Sequence, residues 1–275
     1  MRYLIRLLLL FPVLFASSRL IAQDDTAIEF AFQARVAASR GDSAKAVELA
    51  TKALESNPQP DGITFLYYVR GREEFRIGQI AKSAADFDKY AELHPAEKPK
   101  LWERGITLYY AGRFQEGADQ FALYQKYLSN DVENAAWRFL CMAQADGVDK
   151  AQAELLPIEG DGRIPMMTLH RFYRGAATEE EVLKAVEAGE ASEAERAGRR
   201  FYADLYLGLY YEAIGDDAKA KPFLKRAASP DLQKTATGAM NSYMGDVARI
   251  HWQRLQQPDK SSDEESAGSA SQDSK

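Results

Sequence analysis

Apolar positions along this chain recur with the three-and-four spacing of amphipathic helices, and glycines interrupt the pattern at near-constant intervals. Gly41, Gly78, Gly112, Gly147 and Gly215 each close an apolar helical stretch. The first four stand 37, 34 and 35 residues apart, and the last gap, 68, is twice 34. A period near 34 predicts helix–turn–helix units whose two helices join at the glycine. The units fall at about 27–60, 64–97, 98–131, an atypical 133–157, and 201–233.

Residues inside the units support that division. The last full unit carries Leu207-Gly208-Leu209-Tyr210-Tyr211, then Gly215, Ala220 and Ala227. The second has Gly71, Gly78, Phe87 and Pro95; the third Gly105, Gly112, Phe121 and Tyr124; the first Ala34, Gly41, Ala46, Ala53 and Pro58. Small residues at these points let two helix backbones approach, aromatics fill the space beside them, and the prolines end second helices because they cannot donate to the ladder. The pattern is that of tetratricopeptide (TPR) repeats. The expected fold class is all-α: a tetratricopeptide-repeat helical solenoid with an interrupted central repeat and a C-terminal capping helix.

The interruption lies in the fourth unit. Trp137, Phe139, Leu140 and Gly147 fit the pattern, but the second helix breaks at Leu156-Pro157. A loop over 158–163 follows, then helices from about Pro165 to Tyr173 and from Thr178 to Ala188, forming a helical insert over 158–200. Thr178 followed by Glu181 is a capping box. Residues 234–256 read as one helix closing the last apolar face of the repeat domain, which spans 23–256. Residues 257–275 form an acidic, Ser-rich tail with no aliphatic side chain larger than Ala, expected to be disordered.

Charge and composition narrow the function. Of 275 residues, 35 are Lys or Arg and 41 are Asp or Glu, for a net charge of −6. Residues 1–22 hold Arg2, Arg6 and Arg19 and no acid, so their removal leaves −9. An acidic body excludes nucleic acid as a partner, because phosphate binding needs a basic face. It also argues against electrostatic docking on anionic lipid. The basic start, the apolar run Leu7–Phe15 and the small residues up to Ala22 have the layout of a secretory signal peptide. Nine residues at ~1.5 Å each reach only about half of a bilayer core, so the run is read as a signal rather than an anchor. Cleavage follows Ser18 or Ala22. The expected location is therefore exported, periplasmic or secreted. No cysteine stands at the cleavage site, which excludes a lipoprotein. No later run reaches 18 apolar residues, so a soluble mature protein is expected.

Catalytic chemistry is sparse. Cys141 is the only cysteine, so no disulfide framework or Cys-pair metal site is available, and it reads as a buried thiol. His94, His170 and His251 lie in different units without ligand spacing, and His94 reads as a helix-end cap. The Glu73-Glu74 and Glu179–Glu181 runs read as helical surface carboxylates or first-turn acids. Phosphate-loop, dinucleotide, nucleophile-elbow and zinc-protease motifs are all missing. The sequence is read as that of a non-enzyme, with no cofactor and no metal. An enzyme with carboxylates in the 155–200 segment is the remote competitor.

What remains is surface. In stacked helix pairs the first helix of each unit lines the inner wall. Counting from each unit's glycine places Tyr68, Arg72, Phe75 and Arg76 on that wall in the second unit. The same count gives Trp102, Ile106, Tyr109 and Tyr110 in the third, and Trp137 with Arg138 in the fourth. Aromatics interspersed with arginine have the composition of an interface hot spot. For Tyr109 and Trp137, filling the space between helices is an equal alternative. Arg72 and Arg76, four apart on one face, suit a peptide carrying a carboxylate or acidic side chain.

From Leu101 onward the order of segments resembles the new-lipoprotein-I (NlpI) family of bacterial envelope adaptors. The matching residues are 104–114 (RGITLYYAGRF), 171–175 (RFYRG) ahead of TEEEVLKAVEAG, and Phe201-Tyr202 through Leu207-Gly208 to Gly215-Asp216. The resemblance covers about residues 45–230. It implies a homodimeric, non-enzymatic scaffold of the envelope that docks a tail-specific protease and cell-wall hydrolases and brings clients to them. The family's acylated cysteine is absent here, so the resemblance implies a soluble periplasmic version. The groove also lacks the Lys/Asn set of repeat proteins that clamp a chaperone's C-terminal carboxylate. Protein or peptide clients are thus the expected partners, with a self-assembling repeat protein lacking transient clients as the alternative.

Overall fold

The structure, a computed structural model, describes residues 26–56 and 62–257. The signal peptide expected at 1–22 and all but the first residue of the expected tail lie outside the described residues. The chain divides after Asp161 into two compact units, Met1–Asp161 and Gly162–Lys275. Both are helical, and no described helix is long and apolar enough to cross a membrane.

Unit 1 is a run of antiparallel helix pairs. Residues 26–39 (α1) pair with α2 (Ser43–Ser56), and α3 (Phe65–Arg76) pairs with α4 (Ile80–Leu93). A 3-10 turn, Lys98–Lys100, leads into α5 (Trp102–Tyr110), which pairs with α6 (Phe114–Gln125). Last come α7 (Val132–Asp146) and the short α8 (Val148–Ala153). These are tetratricopeptide-type pairs, and their turns share one device. At Gly41, Gly78 and Gly112 the backbone takes φ of +78°, +78° and +73°. The next amide then bonds back five residues: Asp42 to Ala37, Gln79 to Glu74, and Arg113 to Leu108, at 2.8–3.0 Å. Each turn so satisfies helix carbonyls that would otherwise lack donors, and only glycine enters that conformation without strain.

Gly147 departs from this pattern. Its φ of +97° and ψ of 158° carry the chain straight from α7 into α8. The fourth pair is cut short, with α8 ending at Ala153 before the expected break at Leu156-Pro157.

Within the pairs, contacts between first and second helix recur at one fixed separation along the sequence. A methyl at Gly105 would lie 2.6 Å from Cζ of Phe121, and one at Gly71 would lie 3.4 Å from Cδ2 of Phe87. The glycine is what lets the second helix close on the first. Beside these contacts sits an arginine in the second, third and fourth pairs. Arg70 holds Asp86 with Nε and Nη2 at 2.6 and 2.8 Å, Arg104 reaches Gln120 at 2.9 Å, and Arg138 reaches the Glu154 carbonyl at 2.6 Å. In α1–α2 the seam is alanine: Ala27, Ala31, Ala34 and Ala37 against Ala46, Ala50 and Ala53. Between pairs the core is aromatic. Phe75 meets Tyr110 at 5.5 Å, Tyr110 meets Trp137 at 6.2 Å, and Trp137 stacks on Phe121 at 6.5 Å.

Unit 2 is organised around α11 (Glu193–Ala213), against which α9 (Met166–Tyr173), α10 (Glu179–Val186), α12 (Asp217–Ala227) and α13 (Pro230–Thr235) pack. Gly175 and Gly215, at φ of +76° and +80°, repeat the five-back turn of unit 1 through Ala176 to Arg171 and Asp216 to Tyr211. Capping boxes at Thr178/Glu181 and Ser192/Glu195 start α10 and α11. The second of these sets α11 running well before the expected unit start at 201, since nothing between 193 and 213 breaks a helix. Gly208 repeats the closing contact of unit 1: a methyl there would lie 2.6 Å from Cγ of Leu224 on the second helix.

The expected single cap over 234–256 is two pieces. α13 ends at Thr235, a turn carrying Gly238 at φ +83° follows, and α14 (Ser242–Leu255) begins under an Asn241 cap. Gly198 of α11 accommodates that turn: a methyl there would lie 2.6 Å from the Ala239 carbonyl oxygen.

Candidate protein-interaction surface

The expected groove positions of unit 1 fall into two groups. Tyr68, Arg72, Arg76, Trp102, Tyr109 and Arg138 keep part of their surface open to solvent. Phe75, Ile106, Tyr110 and Trp137 do not; they are 0%, 1%, 6% and 1% exposed and form the aromatic and aliphatic seam between pairs. These four are therefore corrected from groove to core. Apolar side chains at that register gain more by filling the space between successive pairs than by facing water.

Arg138 is a correction of a different kind. It occupies the repeat position that Arg70 and Arg104 hold in the two preceding pairs, so it belongs to the row that braces each pair internally. Its bond to the Glu154 carbonyl shows it in that role, beside a 3.5 Å approach to the Glu154 carboxylate.

Three of the remaining positions, Tyr68, Arg72 and Arg76, are held by acids. Tyr68 donates its phenol to Glu103 Oε1 at 2.7 Å, and Arg72 Nε lies 3.7 Å from the same carboxylate. The Arg72 guanidinium also rides over the Tyr68 ring at 5.6 Å. These contacts tie α3 to α5. Arg76 donates to Glu73 Oε1 at 2.9 Å, while Ser43 of α2 donates to Glu73 Oε2 at 2.6 Å. Tyr109 is wedged edge-on against Trp137 and Phe114, at 5.5 and 5.6 Å.

Glu73, Glu74 and Glu103 are 3–4% exposed. The expectation that Glu73-Glu74 is a surface pair is therefore wrong: α3 has neighbours on both sides, and each acid finds an arginine or hydroxyl inside. Burial pushes the Glu103 carboxyl up, against the Tyr68 hydrogen bond and the Arg72 charge, which pull it down. Burial and the neighbouring Glu103 charge push the Tyr68 phenol up as well. The surface thus holds Tyr68, Arg72, Arg76 and Tyr109 in rotamers pinned from beneath or beside, with the half-buried Trp102 adjacent in sequence to Glu103. Such pinning lowers the ordering cost of binding a partner.

The readings of Cys141 as a buried thiol and of His94 as a helix-end residue hold. Cys141 is fully buried, and burial raises its thiol well above the usual range. His94 ends α4, its Nε2 2.9 Å from Thr64 Oγ1 and its ring 4.5 Å from Tyr90. His170 and His251 are buried in unit 2, the latter 2.8 Å from Glu212. Among the described residues no three His, Cys, Asp or Glu side chains gather as a metal site would need.

No family model matches the chain. Among solved structures, the C-terminal part of a TPR repeat-containing protein from Cytophaga hutchinsonii is similar at 16% identity and a TM-score of 0.38, over 76% of this chain and 73% of that one. The repeat fold of this chain is carried by its own helix pairs, their five-back glycine turns and the evenly spaced contacts that close each pair.

Proposed function

We propose that this chain is a protein-binding adaptor whose unit 1 presents Tyr68, Arg72, Arg76, Trp102 and Tyr109 to a peptide or protein client. The observation that carries the reading is the pinning of Tyr68, Arg72 and Arg76 by the buried acids Glu73 and Glu103, with Tyr109 held between Trp137 and Phe114. Aromatic and arginine side chains held in fixed rotamers at a partly open face are what an interface anchor needs. A client with aromatic or aliphatic anchors and a carboxylate suits that mixture.

With the signal peptide read at 1–22 and the resemblance to envelope adaptors, the setting proposed is the bacterial envelope. The role proposed is presentation of clients to a protease or cell-wall hydrolase. The mechanism is effective concentration: two modest sites on one scaffold raise the local level of client at the enzyme without chemistry of their own.

The test is affinity capture from envelope extract with the chain from residue 23 as bait, beside a bait carrying Arg72→Ala, Arg76→Ala and Trp102→Ala. A protease or hydrolase held by the first and lost from the second supports the reading. Equal capture by both removes this surface from it.

A second reading, self-assembly, is favoured by one feature. Ile28 and Phe32, one turn apart on α1, are 59% and 63% exposed, an apolar pair of the kind that association covers. Light scattering of wild type and Phe32→Glu separates the two. A dimer lost on substitution supports assembly, and a monomer at all concentrations removes it.

A further inference from the structure

We propose that Glu74 and Asp86 share one proton beneath Arg70, and that this proton is a pH-operated brace holding α3 on α4. The geometry begins with charge. Arg70 of α3 makes a two-pronged pair with Asp86 of α4, and its remaining Nη1 donates to Thr51 Oγ1 of α2 at 3.0 Å. Three of its five N–H groups, including Nε, are so committed to Asp86 and α2, and Glu74 Oε1 is left 3.9 Å from Arg70 Nε. Glu74 is 4% exposed and Asp86 6%. One arginine therefore faces two buried carboxylates.

Glu74 Oε2 is buried and receives no hydrogen bond. An ionised carboxylate there is costly, whereas a protonated one can donate to Asp86, which acts on Glu74 through both its charge and a side-chain hydrogen bond. The other charged group acting on Glu74 is Lys82 of α4, which favours the ionised form without outweighing burial and Asp86. Burial first and the Asp86 charge second raise the Glu74 carboxyl from 4.5 to about 7.

The sign follows from linkage. Because the folded value lies above the unfolded one, the stabilisation is fully present below about pH 4.5 and is lost as pH rises through about 7. A single proton held by the folded form alone changes the unfolding equilibrium constant about tenfold per pH unit across that interval. Since α3 also carries Tyr68, Arg72 and Arg76, the brace sits directly behind the candidate surface. It does not depend on that surface having a client.

Two measurements on the full chain test it. The first is a titration of the Glu74 carboxyl carbon by NMR. A midpoint near pH 7 that falls in Asp86→Asn supports the shared proton, and a midpoint near 4.5 overturns it. The second compares urea unfolding of wild type and Glu74→Gln from pH 5 to 8. The ratio of their unfolding constants should rise about tenfold per pH unit up to neutrality and level off above it. A ratio independent of pH overturns the proposal, and should Glu74→Gln fail to fold, the titration of wild type decides alone.

Discussion

Gly71 and Gly105 occupy the same repeat position, yet alanine should act on them with opposite signs. Both lie inside helices, where replacing glycine by alanine relieves about 0.5–1 kcal/mol of backbone entropy and propensity. At Gly71 the new methyl meets Asp86, Phe87 and the Ser83 carbonyl at 3.4 Å, which is ordinary contact. Gly71→Ala should therefore stabilise by about 0.5–1 kcal/mol. At Gly105 the methyl lies 2.6, 2.9 and 2.9 Å from three ring atoms of Phe121. That ring is 1% exposed and backed by Trp137, stacked at an interplanar angle of 18°, so it has nowhere to retreat. Overpacking of this kind costs about 1–3 kcal/mol, and the helical gain offsets part of it. The net expected for Gly105→Ala is a loss of about 1–2 kcal/mol. Thermal unfolding followed by circular dichroism reads both, at about 2–4 °C per kcal/mol for a chain of this size. Adding Phe121→Leu to Gly105→Ala should recover part of the loss. If the two single variants shift the midpoint in the same direction by similar amounts, the helix-closing contact argued for this position is wrong.

Three further outcomes follow from the same geometry. Gly112→Val should cost about 1–3 kcal/mol, because φ is +73° and no atom stands within 4 Å to clash, whereas Gly160→Val, in open space without positive φ, should leave urea unfolding unchanged. Asp204 is fully buried in unit 2 and accepts from Arg200 at 3.0 Å and Arg226 at 2.9 Å; Asp204→Ala should cost about 1–3 kcal/mol in the same assay through loss of these charge-assisted bonds, and no more because both arginines are partly exposed and return to water. Cys141 should resist a thiol reagent in the folded protein and react at once in denaturant, because burial holds it as the neutral thiol; fast reaction without denaturant would contradict its placement.

Much of the fold is legible in the spacing of its glycines. Gly41, Gly78, Gly112 and Gly215 adopt the left-handed turn that a helix-hairpin period near 34 requires. Gly147 misleads the count because its helix runs one position longer than that period allows and ends in another conformation. Counting back from it puts Trp137 on the open wall, ten residues before its glycine as Tyr68 and Trp102 are before theirs, and Arg138 beside it. The arginine row of Arg70, Arg104 and Arg138 gives the true register, in which Ala136 and Leu140 succeed Trp102 and Ile106. Gly175 makes the same turn as the others, but its pair, α9–α10, is too short for that period to reveal. Buried acids are the least legible. Glu73, Glu74 and Glu103 look like solvated helix charges until their partners, 3 to 35 residues away, are brought beside them. The one available signal is that Glu103 holds, one repeat earlier, the position of the core residue Trp137.

The central claim is that unit 1 meets its client through the open positions of α3 and α5. Site-specific photocrosslinking reads this most directly, with a benzophenone side chain placed singly at Tyr68, Tyr109 and Tyr127. Tyr127 is 58% exposed and lies in the turn after α6, outside the proposed surface. Adducts to one partner from positions 68 and 109, and none from 127, are the predicted result. Adducts from 127 alone, or equal adducts from all three, would contradict it.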